Sequence, residues 1–517
     1  MTETKQENWD AIVIGSGIGG MAAGAALSRV GHKVLLLEQH HRLGGLTHSF
    51  ARNGFSWDVG IHYLSLLAPG DLMRELLDWI CETPIDLVSL GSVYDTIHIG
   101  SAEPLSLSRP YEAQERDLKD RFPDQAQAIE AWTHALREGR KAMYKVFPTR
   151  AMPGIVGDML DWWNRRTIAK WCTRTTQEVI DDLTNHQELA AVMAAQWGDH
   201  GGRPSKASFA MHALISASYL HSGSWYPVGG SAVFADNIIP TITNSGGEAR
   251  AGVRVEELLI DDGTVVGVQT DNGTAIRAPV VISDIGVRET IETLLRKDCG
   301  HDDWAAEIRA LPSSIANFTL FLGFEGDIET AGATKANHWI YPTGKVDVLW
   351  ETAPDGEPPH MTASFGSLKD PQHDPGPRQR HMGQFLAWTD WDSVSRWADQ
   401  PAGTRGDDYA DFKRRAEDTL MVQFERYFPE LAKLVVYHEL ATPLSTVTFT
   451  GHRKGAFYGV DVTPERVMCD ALHAKTPIPG LYLAGQDVAS PGIPGALMGG
   501  VLSAASVDPK VFSKIRG

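Results

Sequence analysis

The sequence predicts an α/β protein built on a parallel sheet, and three adjoining stretches carry that prediction. Ala11-Ile12-Val13-Ile14 is a short apolar run, Gly15-Ser16-Gly17-Ile18-Gly19-Gly20 closes it, and Met21 to Leu27 is rich in alanine. After Gly31 a second apolar run, Lys33-Val34-Leu35-Leu36-Leu37, ends in Glu38. An apolar run bounded by glycine is a buried parallel strand, and the alanine-rich stretch is a helix. Together they make one βαβ unit with G-x-G-x-x-G at its first turn, the context in which that motif holds a dinucleotide.

Each residue type has a physical task. Gly15 permits the tight turn, Gly17 lets the backbone approach a pyrophosphate, and Gly20 lets the helix pack close to the strand; Gly19 belongs to the same loop. The helix N-terminus offers unpaired N–H groups and the positive end of a dipole to the phosphates. Glu38 stands about 20 residues on, where a carboxylate accepts hydrogen bonds from an adenosine ribose.

Next comes His40-His41-Arg42-Leu43-Gly44-Gly45, which resembles the extended fingerprint of flavoproteins rather than that of NAD dehydrogenases. Leu46 to Leu64 follows, with His48-Ser49-Phe50, Trp57-Asp58-Val59-Gly60 and Ile61-His62-Tyr63. Here the chain resembles the phytoene desaturase, carotenoid isomerase and retinol saturase superfamily of FAD enzymes, leaning toward the retinol saturase branch. The resemblance implies a Rossmann-like FAD-binding domain of the glutathione-reductase/amine-oxidase type, with an inserted mixed α+β substrate domain. The expected division is 1–70, 226–300 and 456–517 for FAD, and 71–225 and 301–455 for substrate.

Farther along, Asp71 to Cys81 is helical, with Leu72, Leu76, Leu77 and Ile80 on one face, and Val93 to Ile99 is a strand. Helical patterns dominate Tyr111 to Ala217, broken by Pro123, Pro148, Pro153 and Pro204. Within them, apolar Ile155 to Leu160 adjoins a run ending at Arg174 that holds three tryptophans with Arg165, Arg166, Lys170 and Arg174. This pattern fits either a membrane-docking helix or a core helix with solvated cations. Tyr226-Pro227-Val228-Gly229-Gly230 before an apolar helix resembles a retinol saturase motif that lies near the isoalloxazine.

Ala251 to Val268 is a hairpin turning at Asp261-Asp262-Gly263, and by resemblance Val253 contacts adenine through its backbone. Asn317 to Phe324 is a strand, Phe365 lies in another, Lys369 to Arg380 is a loop, and Tyr409 to Phe428 is a helix stopped by Pro429. His373 and His381 are expected to be solvated rather than ligands. Near the C-terminus, Gly485-Gln486-Asp487 follows a short strand, and Gly495 and Ala496 open the last helix. By resemblance Asp487 approaches the ribityl and pyrophosphate, and the helix N-terminus faces the flavin pyrimidine.

Composition excludes several classes. The net charge of −18 over 517 residues argues against nucleic acid, whose phosphates need a basic face. Cys81, Cys172, Cys299 and Cys469 are scattered, with neither a disulfide framework nor metal spacing, which suits a reducing compartment; no metal is expected. The polar N-terminus is no secretory signal, and no apolar stretch reaches the ~20 residues needed to span a bilayer. A cytoplasmic protein, or one peripheral to a membrane, is expected.

Absence of a second strand-associated G-x-G-x-x-G argues against a dedicated nicotinamide domain, so an unidentified electron donor or acceptor meets the flavin directly. The substrate domain holds many aliphatic and aromatic residues and few convergent acids or bases, as a tunnel for an apolar chain would. The resemblance implies a retinoid, carotenoid, polyene or fatty-acyl lipid as substrate, with saturation first and desaturation or cis-trans isomerisation as alternatives. A flavin amine oxidase and a non-enzymatic prenyl-binding protein share the fold. His62, Tyr63 and Tyr226 are the polar groups expected near the flavin.

Overall fold

The computed structural model describes residues 8–147, 165–295, 300–350 and 356–515. β1 (Ala11–Ile14), α1 (Ile18–Arg29) and β2 (Val34–Glu38) form the expected unit. β1 sits in the middle of a five-stranded sheet ordered Leu481–Leu483, Val280–Ser283, β1, β2, Glu248–Ala251, with parallel pairing throughout. Both faces are covered. Ile12, Ile14, Leu35 and Leu37 pack against Leu258, Val265 and Val268 of a three-stranded antiparallel sheet, while Val13 and Leu36 share a core with α1. Two-sided burial is why these strands read as unbroken apolar runs.

The antiparallel sheet contains the predicted hairpin. Val255–Asp261 pairs with Thr264–Thr270, and the turn residues Asp262 and Gly263 have φ of 46° and 74°. Helix Ile493–Val507 packs on α1 without intervening side chains: a Cβ at Gly500 would meet the Gly19 carbonyl carbon at 2.9 Å.

A seven-stranded mixed sheet forms the other half. Its order is Val435–Ala441, Ala316–Glu325, Arg380–Thr389, Met361–Ser364, Asn337–Tyr341, Val93–Ile99, Leu105–Ser108. Alternation sets its faces. Phe318, Leu320, Phe385 and Ala387 pack on Phe412, Ala416, Leu420 and Phe424 of helix Gly406–Tyr427. Their neighbours Leu386 and Trp388 face the other way, into a cavity. Helix Ala126–Val146 buries Ile129, Trp132, Leu136, Met143 and Val146 at helical spacing and packs on helix Phe209–Ser222, where a Cβ at Gly139 would meet Ala213 at 2.7 Å.

Four expectations change. Leu72 is 52% exposed, because Met73 rather than Leu72 joins Leu76, Leu77 and Ile80 on the buried face. Phe365 follows the strand Met361–Ser364 and starts a short helix, Gly366–Lys369. That helix removes Lys369 from the predicted loop and buries it. His373 and His381 are half-buried, with ring centroids 5.3 Å apart. Of the tryptophan-rich segment, residues 155–164 lie outside the described residues. Residues 165–171 are helical, with Ile168 and Trp171 buried and Arg165, Arg166 and Lys170 exposed. No helix among the described residues is long and apolar enough to cross a membrane.

Candidate active site

A cavity of about 880 Å³ runs from the glycine fingerprint to the seven-stranded sheet. Its volume is near the upper end of the range for small-molecule sites, about 300–1,000 Å³. At one end lie Gly15, Gly17, Gly19, Glu38, Gly45 and Val253; at the other, Trp339, Leu386, Trp388 and Tyr458. His62, Tyr63, Asp487, Gly495 and Ala496 line it between these ends.

At the fingerprint end, geometry assigns the glycines different tasks. A Cβ at Gly17 would lie 2.7 Å from Asp284 Oδ2, and one at Gly45, whose φ is 54°, would lie 2.9 Å from Gly17 Cα. Both residues line the cavity, and the missing side chains let Asp284 and the Gly45 loop close on Gly17. Gly20 stays out of the lining; a Cβ there would run into the Gly15 carbonyl, so its role is packing. Gly44 turns the chain at φ 115° and donates its N–H to Ser16 Oγ at 2.9 Å. Gly485 packs against Gly19 and Asp284. Arg42 is exposed, outside the lining, and its Nη1 donates to the Ser49 carbonyl at 2.8 Å.

Two carboxylates shape this end. Glu38 accepts from Ser16 N at 2.8 Å, Ser16 Oγ at 2.7 Å and His40 N at 2.8 Å. A carboxylate offers about four acceptor sites, so one remains for a ribose hydroxyl. Val253 lies just beyond its strand, and its N–H donates to the Glu38 carbonyl at 2.8 Å, leaving only its own carbonyl for a ligand. Asp487 accepts from Val287 N at 3.0 Å and Val460 N at 2.9 Å, tying three segments together beside the cavity. Sequence reasoning missed Asp284. It lines the cavity and accepts from Gly20 N at 2.6 Å, and burial pushes its carboxyl up to about 8, with Glu38 and Asp487 adding to the shift.

The glycine cradle, the start of α1 and the open site on Glu38 fit the adenosine and pyrophosphate of FAD. Ala496 and Gly495 at the start of the last helix fit its other end. Bound there, FAD supplies hydride chemistry; the protein supplies orientation and a water-poor chamber.

Tyr226 lies outside the lining. Its hydroxyl donates to Asp58 Oδ2, and Asp58 Oδ1 also accepts from Ser231 N at 2.9 Å and Ser231 Oγ at 2.6 Å. The two motifs that carried the resemblance, around Asp58 and Tyr226, are thus bonded to each other. They fix the stretch from Val59 to Tyr63 that lines the chamber.

Beyond Tyr63 the expectation of few convergent acids and bases fails. Tyr63 Oη lies 2.9 Å from Asp199 Oδ2 and 3.2 Å from Asp95 Oδ2, and Gln196 Nε2 donates to Asp95 at 2.7 Å. Lys369, 1% exposed, donates from Nζ to the His62 carbonyl at 2.7 Å, Ser364 Oγ at 2.8 Å and Asn337 Oδ1. Burial lowers the Lys369 ammonium to about 7 and raises Asp95 to about 7 and Asp199 well above the usual carboxylate range. Burial, then Lys369, lowers His62 to about 3, so its imidazole is neutral and offers a hydrogen bond rather than a charge. Nothing in local sequence pairs these residues; the sheet register Asn337↔Asp95 and the short helix before Asp370 do.

The profile of the NAD(P)-binding Rossmann-like domain matches residues 13–79. Over 95% of its length the chain is 30% identical to the all-trans-retinol 13,14-reductase of Danio rerio, covering 85% of that protein. It is 23% identical to the prolycopene isomerase of Daucus carota, over 93% of this chain and 77% of that one. Among solved structures, a triple mutant of putrescine oxidase shares the fold with a TM-score of 0.63 at 14% identity, over 97% of this chain and 99% of that one. A cradle for FAD, the bonded Asp58 and Tyr226 motifs and end-to-end similarity converge: the chain belongs to the all-trans-retinol 13,14-reductase family of FAD-dependent oxidoreductases.

Proposed function

We propose that the protein saturates one double bond of an apolar conjugated substrate of the retinoid class. The observation that carries this reading is the single chamber, continuous from the FAD cradle to an aromatic and aliphatic wall of Leu214, Trp339, Leu386, Trp388, Phe457 and Tyr458. A polyene lying along that wall shares its space with the flavin. His62 and Tyr63 border the substrate as neutral hydrogen-bonding groups, and Tyr226 acts through Asp58 as a positioning residue. The proposed division keeps FAD on 1–70, 226–300 and 456–517 and the substrate wall on 71–225 and 301–455. An external donor re-reduces the flavin, and substrate reaches the chamber through reversible contact with a lipid surface.

Anaerobic incubation of the reduced enzyme with a panel of retinoids, carotenoids and lipids, read by mass spectrometry, tests the reading. Saturation adds two mass units. The similarity to a prolycopene isomerase makes an unchanged mass with altered double-bond geometry the competing outcome, and a loss of two would mark a desaturase. Either of these would overturn saturation.

A further inference from the structure

Saturating a carbon–carbon double bond requires a hydride and a proton, and only the hydride comes from reduced flavin. The proton must come from a group on the chamber wall. His62 cannot store one, since its imidazole is neutral at ordinary pH. A tyrosine hydroxyl is a weak acid, and burial and the neighbouring aspartates push Tyr63 further up.

The contacts of Tyr63 require one more proton than its own hydroxyl supplies. Its hydroxyl touches two carboxyl groups, Asp199 at 2.9 Å and Asp95 at 3.2 Å, yet a hydroxyl carries one hydrogen and can donate to only one of them. The second contact is a hydrogen bond only if that carboxyl is protonated and donates to the phenol oxygen. Asp95 Oδ2 already accepts from Gln196 Nε2 at 2.7 Å, a group that can only donate and so favours the carboxylate form, whereas the further partner of Asp199 is Tyr219, whose hydroxyl can accept as well as donate. Asp199 lines the chamber and Asp95 does not. Charge agrees: Lys369 points three N–H groups at three acceptors, as an ammonium does, and its charge balances one buried carboxylate, not two.

We infer that Asp199 holds a proton at the chamber wall and is the acid that delivers it to the substrate carbon. Tyr63 and Asp95 act through Asp199 as positioning residues. As Asp199 gives up its proton to the carbon adjacent to the one receiving hydride, the Tyr63 O–H turns from Asp95 to the new Asp199 carboxylate. The hydride, which carries both electrons, would come from the reduced flavin, the substrate gains two hydrogens, and solvent returns the proton to Asp199 after product leaves. Enclosure of Asp199, which raises its carboxyl well above the usual range, keeps the acid loaded at neutral pH.

This inference rests on the saturase reading, and the test separates the two. In the FAD-loaded protein at pH 7, the infrared difference spectrum of parent minus Asp199→Asn should show the carbonyl stretch of a protonated carboxylic acid, with the contribution of Asp284, which both proteins keep, cancelled. Absence of that band from the difference spectrum would overturn the inference whatever the enzyme does with substrate. In single turnovers of reduced enzyme, Asp199→Asn should keep FAD and substrate affinity but slow product formation about 10²–10⁴-fold. The parent's solvent deuterium isotope effect should be lost with it. A parental rate and isotope effect in Asp199→Asn would overturn the proton-donor role. Failure of the parent to give any plus-two product would instead count against saturation.

Discussion

Glu38 closes the fingerprint turn through Ser16 and His40 and has one acceptor site left, which we propose takes the ribose. Glu38→Gln replaces an acceptor oxygen by a donor NH₂ among three donors, so it should weaken FAD retention and also destabilise the apoprotein by about 1–3 kcal/mol. Dialysis against FAD-free buffer and thermal melting of the apoprotein check the two effects separately. A variant that loses FAD without melting earlier would show that the turn does not depend on this carboxylate. Asp284 has the opposite character. Its folded-state pKa of about 8 lies above the usual value of about 3.9, so the folded chain favours the neutral acid. Through this group, stability falls as pH climbs from about 4 to about 8, then levels off. The pyrophosphate is an anion that binds where helix N–H groups converge, beside this carboxyl, so above about pH 8 FAD binding must take up a proton. Affinity should then drop by up to about tenfold per pH unit, and Asp284→Asn should flatten that slope. Fluorescence titration of FAD from pH 6 to 10 reads it directly.

At the scale of elements, the close approach of α1 to helix Ile493–Val507 joins the two ends of the chain around the cofactor cradle. Gly500 makes it possible, because its missing side chain lets the Gly19 carbonyl sit against the last helix. Gly500→Ala should force the helices apart, costing about 1–3 kcal/mol of stability and lowering FAD retention, since Gly19 and Ala496 would separate. Chemical denaturation with and without FAD measures both. This pairing was half legible from sequence. The fingerprint, Glu38 and the Gly485-Gln486-Asp487 turn are local signals, each written in fewer than about 30 residues of strand and helix periodicity. The proton-holding cluster is not local. Asp95, Asp199 and Lys369 come from three separate stretches, and Lys369 lies in a segment whose Pro, Asp and Arg content reads as solvent-facing. Only the register of Asn337 on Asp95 and the turn into Gly366–Lys369 bring its ammonium inside. Tyr226 went astray for a related reason: its motif was legible, but which motif it would bond was a matter of tertiary packing.

At the scale of the whole molecule, the proposed function has an acidic protein take its apolar substrate from a lipid phase. The net charge of −18 repels an anionic bilayer over most approaches, so any binding to such a surface depends on a local reversal of sign. The helix over residues 165–171 provides one. Ile168 and Trp171 point into the core while Arg165, Arg166 and Lys170 are exposed. This part of the segment therefore offers charge rather than an apolar face. Each cation near an anionic surface contributes about 1 kcal/mol, and the contribution fades beyond a Debye length of about 8 Å at physiological ionic strength. Co-sedimentation with vesicles should therefore require anionic lipid and weaken as salt rises. Changing Arg165, Arg166 and Lys170 together to Glu reverses three charges and should abolish sedimentation while leaving FAD retention and the melting temperature near those of the parent, because none of the three is buried. Sedimentation of the triple variant at the parent's level would remove this helix as the lipid contact. Binding equal on neutral and anionic vesicles would show that apolar insertion, not charge, holds the protein to the surface.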